Sequence, residues 1–232
     1  MKILAFDTSS VSGSIALVED NTLVAELTSQ SVAAHAVWLL PNIEGFLKGL
    51  ALSVHDIDLF AVVSGPGSFT GLRIGVSAVK GLAWSSRKKV VGISSLYALA
   101  LNARSALMPV CPVLDARKGE VYAALYRCGN GGMENIMAES VITPAELCER
   151  IAASGIQTPV VFSGSALNAY ADDIKRMVKD ALFAPEPLWH IRASNVALAA
   201  FEKLRTEEPL DPAGLALVYL RKSVSQINPR RV

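Results

Sequence analysis

The chain has 232 residues, 51% hydrophobic and 19% charged, with a formal net charge of +1. That length supports one large core or two small ones. The near-neutral balance excludes a surface that by itself draws the chain onto nucleic acid or an anionic membrane. Aromatic residues, at 6%, are too few for base-stacking platforms.

In chain order, residues 3–7, ILAFD, read as a short strand ending in Asp, without the long apolar core of a signal peptide. A polar turn leads to a second strand, SIALVE, and Asp20-Asn21 to a third, TLVAEL. Residues 35–50 place Ala36, Leu39, Leu40, Ile43, Phe46, Leu47 and Leu50 at helical spacing, with a break or bend expected near Pro41. Then come strand LFAVVS, a glycine turn, a helix over about 70–85, strand KVVGI and a helix over about 95–105. The most apolar stretch, residues 96–114, is interrupted by Asn102 and Arg104, short of the ~18 apolar residues of a spanning helix. A soluble cytoplasmic protein is expected.

The second half repeats the first. VCPVLD, residues 110–115, again ends in Asp, and strand EVYAALY follows the turn ARKG. A third strand falls near 134–142, and CGNGGMEN is a hairpin tip. Thr143, Pro144 and Glu146 predict a capping box opening a helix. Strand PVVFSG, a helix over 166–179 and a last helix over 194–205 complete the pattern. The predicted order β-β-β-α-β-α-β-α thus occurs twice, with Asp7 and Asp115 at equivalent strand ends. Expected domains are residues 1–105 and 106–232, with a tail that packs back on either half. Cys111, Cys128 and Cys148 form no CxxC pair and are expected to be buried small hydrophobes in a reducing compartment.

The stretch SGPGSFTGLRIG, residues 64–75, fails as a Walker loop, because Leu72 stands where the lysine is required. It fails as a dinucleotide fingerprint because Thr70 replaces the third glycine. What remains is a tight turn feeding a helix, with Ser68 or Thr70 as cap. Its free N–H groups suit an anion, but residue types alone favour an ordinary capped turn. Gly71, Gly75, Ala78 and Gly81 lie close to one face of that helix. On helix 35–50, Trp38, Asn42, Gly45 and Gly49 lie opposite the apolar stripe. Two packable faces on each helix suggest one side in the core and one against a second chain. An internal neighbour is the alternative. His35, His55 and His190 are scattered, and no GxSxG or Cys–His pairing offers a nucleophile. The basic runs at 85–90 and 219–232 read as contacts to nucleic-acid phosphates or, more commonly, as a solvated turn and a ragged tail.

The doubled pattern resembles the actin-like ATPase superfamily, so the expected fold class is α/β with two tandem actin-like (ribonuclease H-like) βββαβαβα domains. MKILAFDTSSVSGSIAL, HAVWLLPNIEGFL, SGPGSFTGLRIGVSAVKGLA, LDARKGEVYAALY and YLRKS together resemble the bacterial TsaB (YeaZ) family across nearly the whole chain. The resemblance implies a non-catalytic partner of TsaD. Threonylcarbamoyl transfer would be to the adenosine next to the anticodon (t6A), in tRNAs reading codons that begin with A. TsaC makes the donor in that system, and the small ATPase TsaE also docks. It further implies a heterodimer with TsaD, a homodimer when alone, indirect contact with tRNA and no membrane.

From the family, the implied interface residues are His35, Trp38, Leu39, Asn42, Phe46, Thr70, Gly71, Arg73, Ile74, Gly75 and Ala78. Candidate nucleotide or anion residues are Asp7, Thr8, Ser9, Gly67, Ser68, Asp115 and Gly164. In related kinases an Asp at position 7 holds Mg²⁺ through water; here DTSS lacks the early glycine, and an Asp bonding its own turn reads equally well. DARKG puts side chains where TsaD-like proteins bring glycine N–H groups to phosphate. The TsaD metal pair HxxxH aligns with Ser95 and Leu99, and Leu cannot ligate a metal. No metal, no catalytic residue and no tightly bound cofactor are therefore expected, with weak ATP or ADP binding only at a complex interface. The alternative is an autonomous ATP-dependent small-molecule kinase of the superfamily.

Overall fold

The computed structural model describes residues 1–30, 34–129, 132–156 and 159–220. The first unit runs β1 (Lys2–Asp7), β2 (Gly13–Glu19), β3 (Thr22–Ser29), α1 (His35–Gly49), β4 (Leu59–Gly65), α2 (Phe69–Ser86), β5 (Lys89–Ser94) and α3 (Ser95–Ala100). The second runs β6 (Val110–Arg117), β7 (Glu120–Gly129), β8 (Gly132–Ile142), α4 (Pro144–Ala153), β9 (Val160–Ser163), α5 (Leu167–Met177), β10 (Ala181–Phe183) and α6 (Ala193–Lys203).

Each unit builds one five-stranded sheet. The orders β3-β2-β1-β4-β5 and β8-β7-β6-β9-β10 are the same order twice. The first three strands of each pair antiparallel, and the last two join in parallel. This is the doubled actin-like plan expected from the sequence. Strand β10, which no apolar run announces, is only three residues long.

Helices cover the outer faces and fill the space between the sheets. Leu4, Phe6, Ile15, Phe60 and Val62 on one face of the first sheet pack under α1 and α2, through Leu39, Ile43, Leu47, Val76 and Val79. Cys111, Val113, Val121, Leu125 and Phe162 pack under α4 and α5. The middle layer holds α3 and α6, and its apolar cluster draws on both sheets. The two helices are crossed over: α6, last in the chain, packs on β1 and β2, while α3 packs on β6 and β7. With both faces covered, central strands are apolar at consecutive positions rather than alternating.

Several local expectations change. Helix α1 runs unbroken through Pro41. The missing donor would serve the carbonyl of Val37, a residue in the open, where water substitutes, and the Asn42 side chain donates to Trp38 O at 2.6 Å. Thr143 does cap α4, accepting from Glu146 N at 3.2 Å, but Glu146 pairs with Arg150 at 2.6 Å. Cys111 and Cys148 are buried; Cys128 is exposed, correcting the expectation for that residue. The described tail folds onto the first unit, with Leu215 buried beneath α2 and Val218 N donating to Ser64 O. The basic run from residue 221 onward and residues 130–131 of the hairpin tip lie outside the described residues. No helix among the described residues is long and apolar enough to cross a membrane.

Candidate functional site

The turn after β1 and the glycine turn after β4 meet face to face. Asp7 Oδ1 accepts from Ser9 N at 2.8 Å, and Thr8 Oγ1 donates to Gly71 O at 2.8 Å. Ser68 N donates to Ser9 O at 2.7 Å, and Ser68 Oγ caps α2 by accepting from Gly71 N at 3.3 Å. The glycines are required by this contact. A Cβ on Gly71 would collide with Thr8 O, one on Gly75 would lie 2.6 Å from Thr8 Oγ1, and one on Gly67 2.6 Å from Ser9 O. Gly71 and Gly75 are buried. Their expected exposure to a partner helix is thereby corrected: the close approach they permit is internal, to the β1–β2 turn.

Asp7 is fully buried, and burial pushes its carboxyl pKa up to about 6. Among the described residues Oδ2 has no hydrogen-bond partner. A cleft of ≈ 510 Å³ opens between the units beside it, lined by Ser9, Ser10, Gly67, Ser68, Asp115, Arg117, Ser165 and Asn168 among others. Of the candidate nucleotide residues, Ser9, Gly67, Ser68 and Asp115 line this cleft, while Asp7, Thr8 and Gly164 do not. Gly164, at φ +123°, is fixed by packing, since a Cβ there would collide with Val113 O. Across the cleft, Arg117 and Lys118 take left-handed φ values of 64° and 57°. Asp115 is engaged locally, accepting from Arg117 N at 2.8 Å and pairing with its guanidinium at 3.1 Å. The cleft therefore presents side chains, and a carboxylate already paired, where a phosphate would need open backbone N–H groups.

Helices α1 and α2 lie side by side on the outside of the first sheet. Leu39 is core, and Trp38, Phe46, Ile74 and Ala78 pack partly against it. Leu39 is a further correction to the expected surface. His35 Nε2 bonds Ser10 O at 2.7 Å, tying the start of α1 to the turn. Thr70 and Arg73 are exposed, with the Arg73 guanidinium 3.8 Å from the centre of the Phe69 ring. The outer face also shows exposed apolar residues, of which only Leu40 belonged to the expected helical stripe. Val37 is 75% exposed, Trp84 72%, Phe69 52% and Leu40 50%. Gly45 and Gly81 have nothing within 4 Å of where a Cβ would stand, so they leave the surface shallow. Exposed apolar side chains of this size are what partner-binding faces carry.

At the positions aligned with the metal pair, Ser95 Oγ donates to Pro66 O in the interior and Leu99 is fully buried in the middle layer. Among the described residues no group of three or more His, Cys, Asp or Glu comes together as a metal site.

One structural element had no sequence signal. Glu26 on β3 accepts from Arg192 Nε at 2.9 Å, Ser194 N at 2.9 Å and Ser194 Oγ at 2.8 Å, holding the start of α6 against the first sheet. The partners are 166 and 168 residues apart, beyond any local pattern.

Comparison with known proteins follows the same lines. The family model of TsaD, tRNA N6-adenosine threonylcarbamoyltransferase, matches residues 23–228. The Bacillus subtilis (strain 168) tRNA threonylcarbamoyladenosine biosynthesis protein TsaB is 34% identical over 226 residues, covering 95% of this chain and 94% of that protein. The Escherichia coli (strain K12) protein of the same name is 37% identical over 156 residues, or 65% of this chain and 66% of that one. The solved structure of YeaZ from Pseudomonas aeruginosa aligns with a TM-score of 0.82 at 28% identity, over 94% of this chain and 99% of that one.

Proposed function

The chain belongs to the TsaB (YeaZ) family, and from that premise we propose that it serves tRNA threonylcarbamoyladenosine biosynthesis as a non-catalytic partner of TsaD. Its contribution is to hold TsaD through the outer face of α1 and α2. The observation that carries this reading is the pairing of an open apolar face with a disabled cleft. Val37, Leu40, Phe69 and Trp84 stand out from helices anchored to the core. Asp7 meanwhile sits off the cleft wall and Asp115 is paired within its own turn.

On this reading the modified adenosine is the one next to the anticodon in tRNAs reading codons that begin with A. In the absence of TsaD a second copy of the chain covers the same face, because a paralogue with the same doubled fold substitutes for one subunit of a symmetric pair. TsaE joins the assembled pair, tRNA is reached indirectly, and ATP or ADP binds weakly, at the complex interface. The assembly works in the cytoplasm. The kinase alternative lacks comparable support, since the Asp it needs has no surface on the cleft.

The test is co-purification with TsaD, run beside assay of the modified nucleoside in cells lacking this chain. The expected result is a stable pair with TsaD, and loss of the nucleoside that the chain restores. Normal nucleoside levels without the chain, or ATP-dependent phosphorylation of a small molecule by the chain alone, would overturn the reading.

A further inference from the structure

Helices α1 and α2 carry three lysine or arginine residues, Lys48, Arg73 and Lys80, and one carboxylate, Glu44. This imbalance stands in a chain whose net charge is only +1. Leu40, Glu44 and Lys48 follow one another at four-residue steps on the exposed side of α1. Phe69, Arg73 and Ser77 do the same on α2, and Trp84 lies further along that side. The charges are therefore interleaved with the exposed apolar side chains, and whatever covers those covers the charges too. Lys48 and Arg73 have no ion-pair partner among the described residues. By contrast, Lys88 and Lys89, beyond the end of α2, pair with Asp58 and Asp211.

The backbone adds charge of the same sign. His35 at the start of α1 bonds Ser10 O, and Ser68 N before α2 donates to Ser9 O, so the two helix N-termini lie against one turn. Neither first turn holds an acidic residue, and no side chain there offsets the positive ends of the two dipoles. Arg73, one turn into α2, stands at this end. Two such faces set against each other in a symmetric pair bring like charges together. A partner with carboxylates around an apolar centre meets none of that repulsion.

Resting on the reading of α1 and α2 as the partner face, we propose that Lys48 and Arg73 select a partner surface of apolar residues flanked by carboxylates, and select against a second copy of this chain. The occupant is TsaD, meeting Arg73 and the two helix ends with Asp or Glu side chains. A second copy fits the apolar residues but not the charge.

The experiment is analytical ultracentrifugation of the full chain, alone and with TsaD, at low and high potassium chloride. Raising the salt should weaken the pair with TsaD, because screening removes the attraction. Self-association should tighten with salt, or be absent where the TsaD pair forms. Arg73→Glu leaves the charges of the two helices balanced. It should weaken the TsaD pair by about tenfold and strengthen self-association, a combination that simple damage to the fold does not produce. Arg73→Lys should stay close to native in both. Lys48→Glu should act in the same direction as Arg73→Glu, and both residues are exposed, so circular dichroism should show an intact fold. Leu40→Glu separates the two ideas. If it breaks the TsaD pair while Arg73→Glu and Lys48→Glu do not, the charge selection is overturned and the partner face stands. If none of the three weakens the pair, both are overturned. Self-association that loosens with salt in step with the TsaD pair would also overturn the selection.

Discussion

The hydroxyl of Thr8 donates to the carbonyl of Gly71 at 2.8 Å, and this bond clamps the β1–β2 turn onto the first turn of α2. The contact leaves no room for a side chain. Gly71→Ala would drive a methyl group into Thr8 O, and backbone cannot swing aside as a side-chain tip can. Overpacking of this kind costs about 1–3 kcal/mol or more, so the variant should be clearly destabilised. Gly75→Ala meets Thr8 Oγ1 at 2.6 Å and should cost within that range. Gly81→Ala, where the space is empty, should stabilise the chain by roughly 0.5–1 kcal/mol through helix propensity. Urea denaturation of the three variants measures the order. Equal midpoints for Gly71→Ala and Gly81→Ala would refute this account of the turn.

That clamp also marks where sequence reading stops. The doubled strand and helix order was legible because apolar runs, terminal Asp residues and caps are local signals. The small-residue track Gly71, Gly75, Ala78 was legible as a close-packing face, but not what packs on it. Its neighbour, Thr8, lies 63 residues away and carries no hint of the encounter. The crossing of α3 and α6 into the layer between the sheets was hidden for the same reason. Phe69, Val37 and Trp84 look like core residues in a linear sequence, and only the orientation of α1 and α2 exposes them. Strand β10, three residues long, is below the length at which alternation is readable.

Asp7 should make stability depend on pH in the opposite sense to a salt-bridged carboxylate. Its folded pKa, about 6, lies above the ordinary value of 3.8. The folded state therefore binds the proton more tightly. The destabilisation from its buried charge is complete above about pH 6 and is relieved as pH falls toward 4. Asp7→Asn keeps an acceptor for Ser9 N and removes the charge. It should raise stability at pH 7.5 by roughly 1–3 kcal/mol. Relative to this variant, the native chain should gain stability between pH 6 and 4. Parallel melting curves for the two proteins across that range would show that Asp7 ionises in the fold as readily as in the unfolded chain, against this account.

The outer face of α1 and α2 should tolerate charge without unfolding. Leu40 and Trp84 are at least half exposed, so Leu40→Glu and Trp84→Glu should shift chain stability by no more than about 0.5 kcal/mol. If this face holds TsaD, each should weaken the pair by about 2 kcal/mol or more, as centrally placed apolar contacts do. Analytical ultracentrifugation with TsaD, beside circular dichroism of the free chain, separates the two effects. Unchanged affinity in both folded variants would move the interface elsewhere.

Chelation should leave the chain unaffected. Ser95 is occupied by Pro66 O, and Leu99 is packed in the middle layer, so the two aligned positions offer a metal no ligand pair. Dialysis against EDTA is expected to preserve the melting temperature. A fall of several degrees on chelation, reversed by added zinc or iron, would contradict this.

Glu26 offers the most direct test of how the last helix is attached. Its side chain is 6% exposed, and it accepts from the guanidinium of Arg192 and from both Ser194 N and Ser194 Oγ. A carboxylate from β3 thus caps the N-terminus of α6 from outside the helix, where no residue of the helix's own start provides a side-chain cap. Glu26→Ala would leave Ser194 N without its acceptor and Arg192 without its counter-charge. Because Arg192 is about half exposed, water recovers part of that loss, and the expected cost is about 1.5–3 kcal/mol. Glu26→Gln keeps one acceptor and should cost about half as much. Hydrogen exchange localises the effect: the amides of α6 should open faster in Glu26→Ala, while those of α4 and α5 change only with global stability. Uniform acceleration across all helices would mean that Glu26 serves the fold as a whole and is not the anchor of α6.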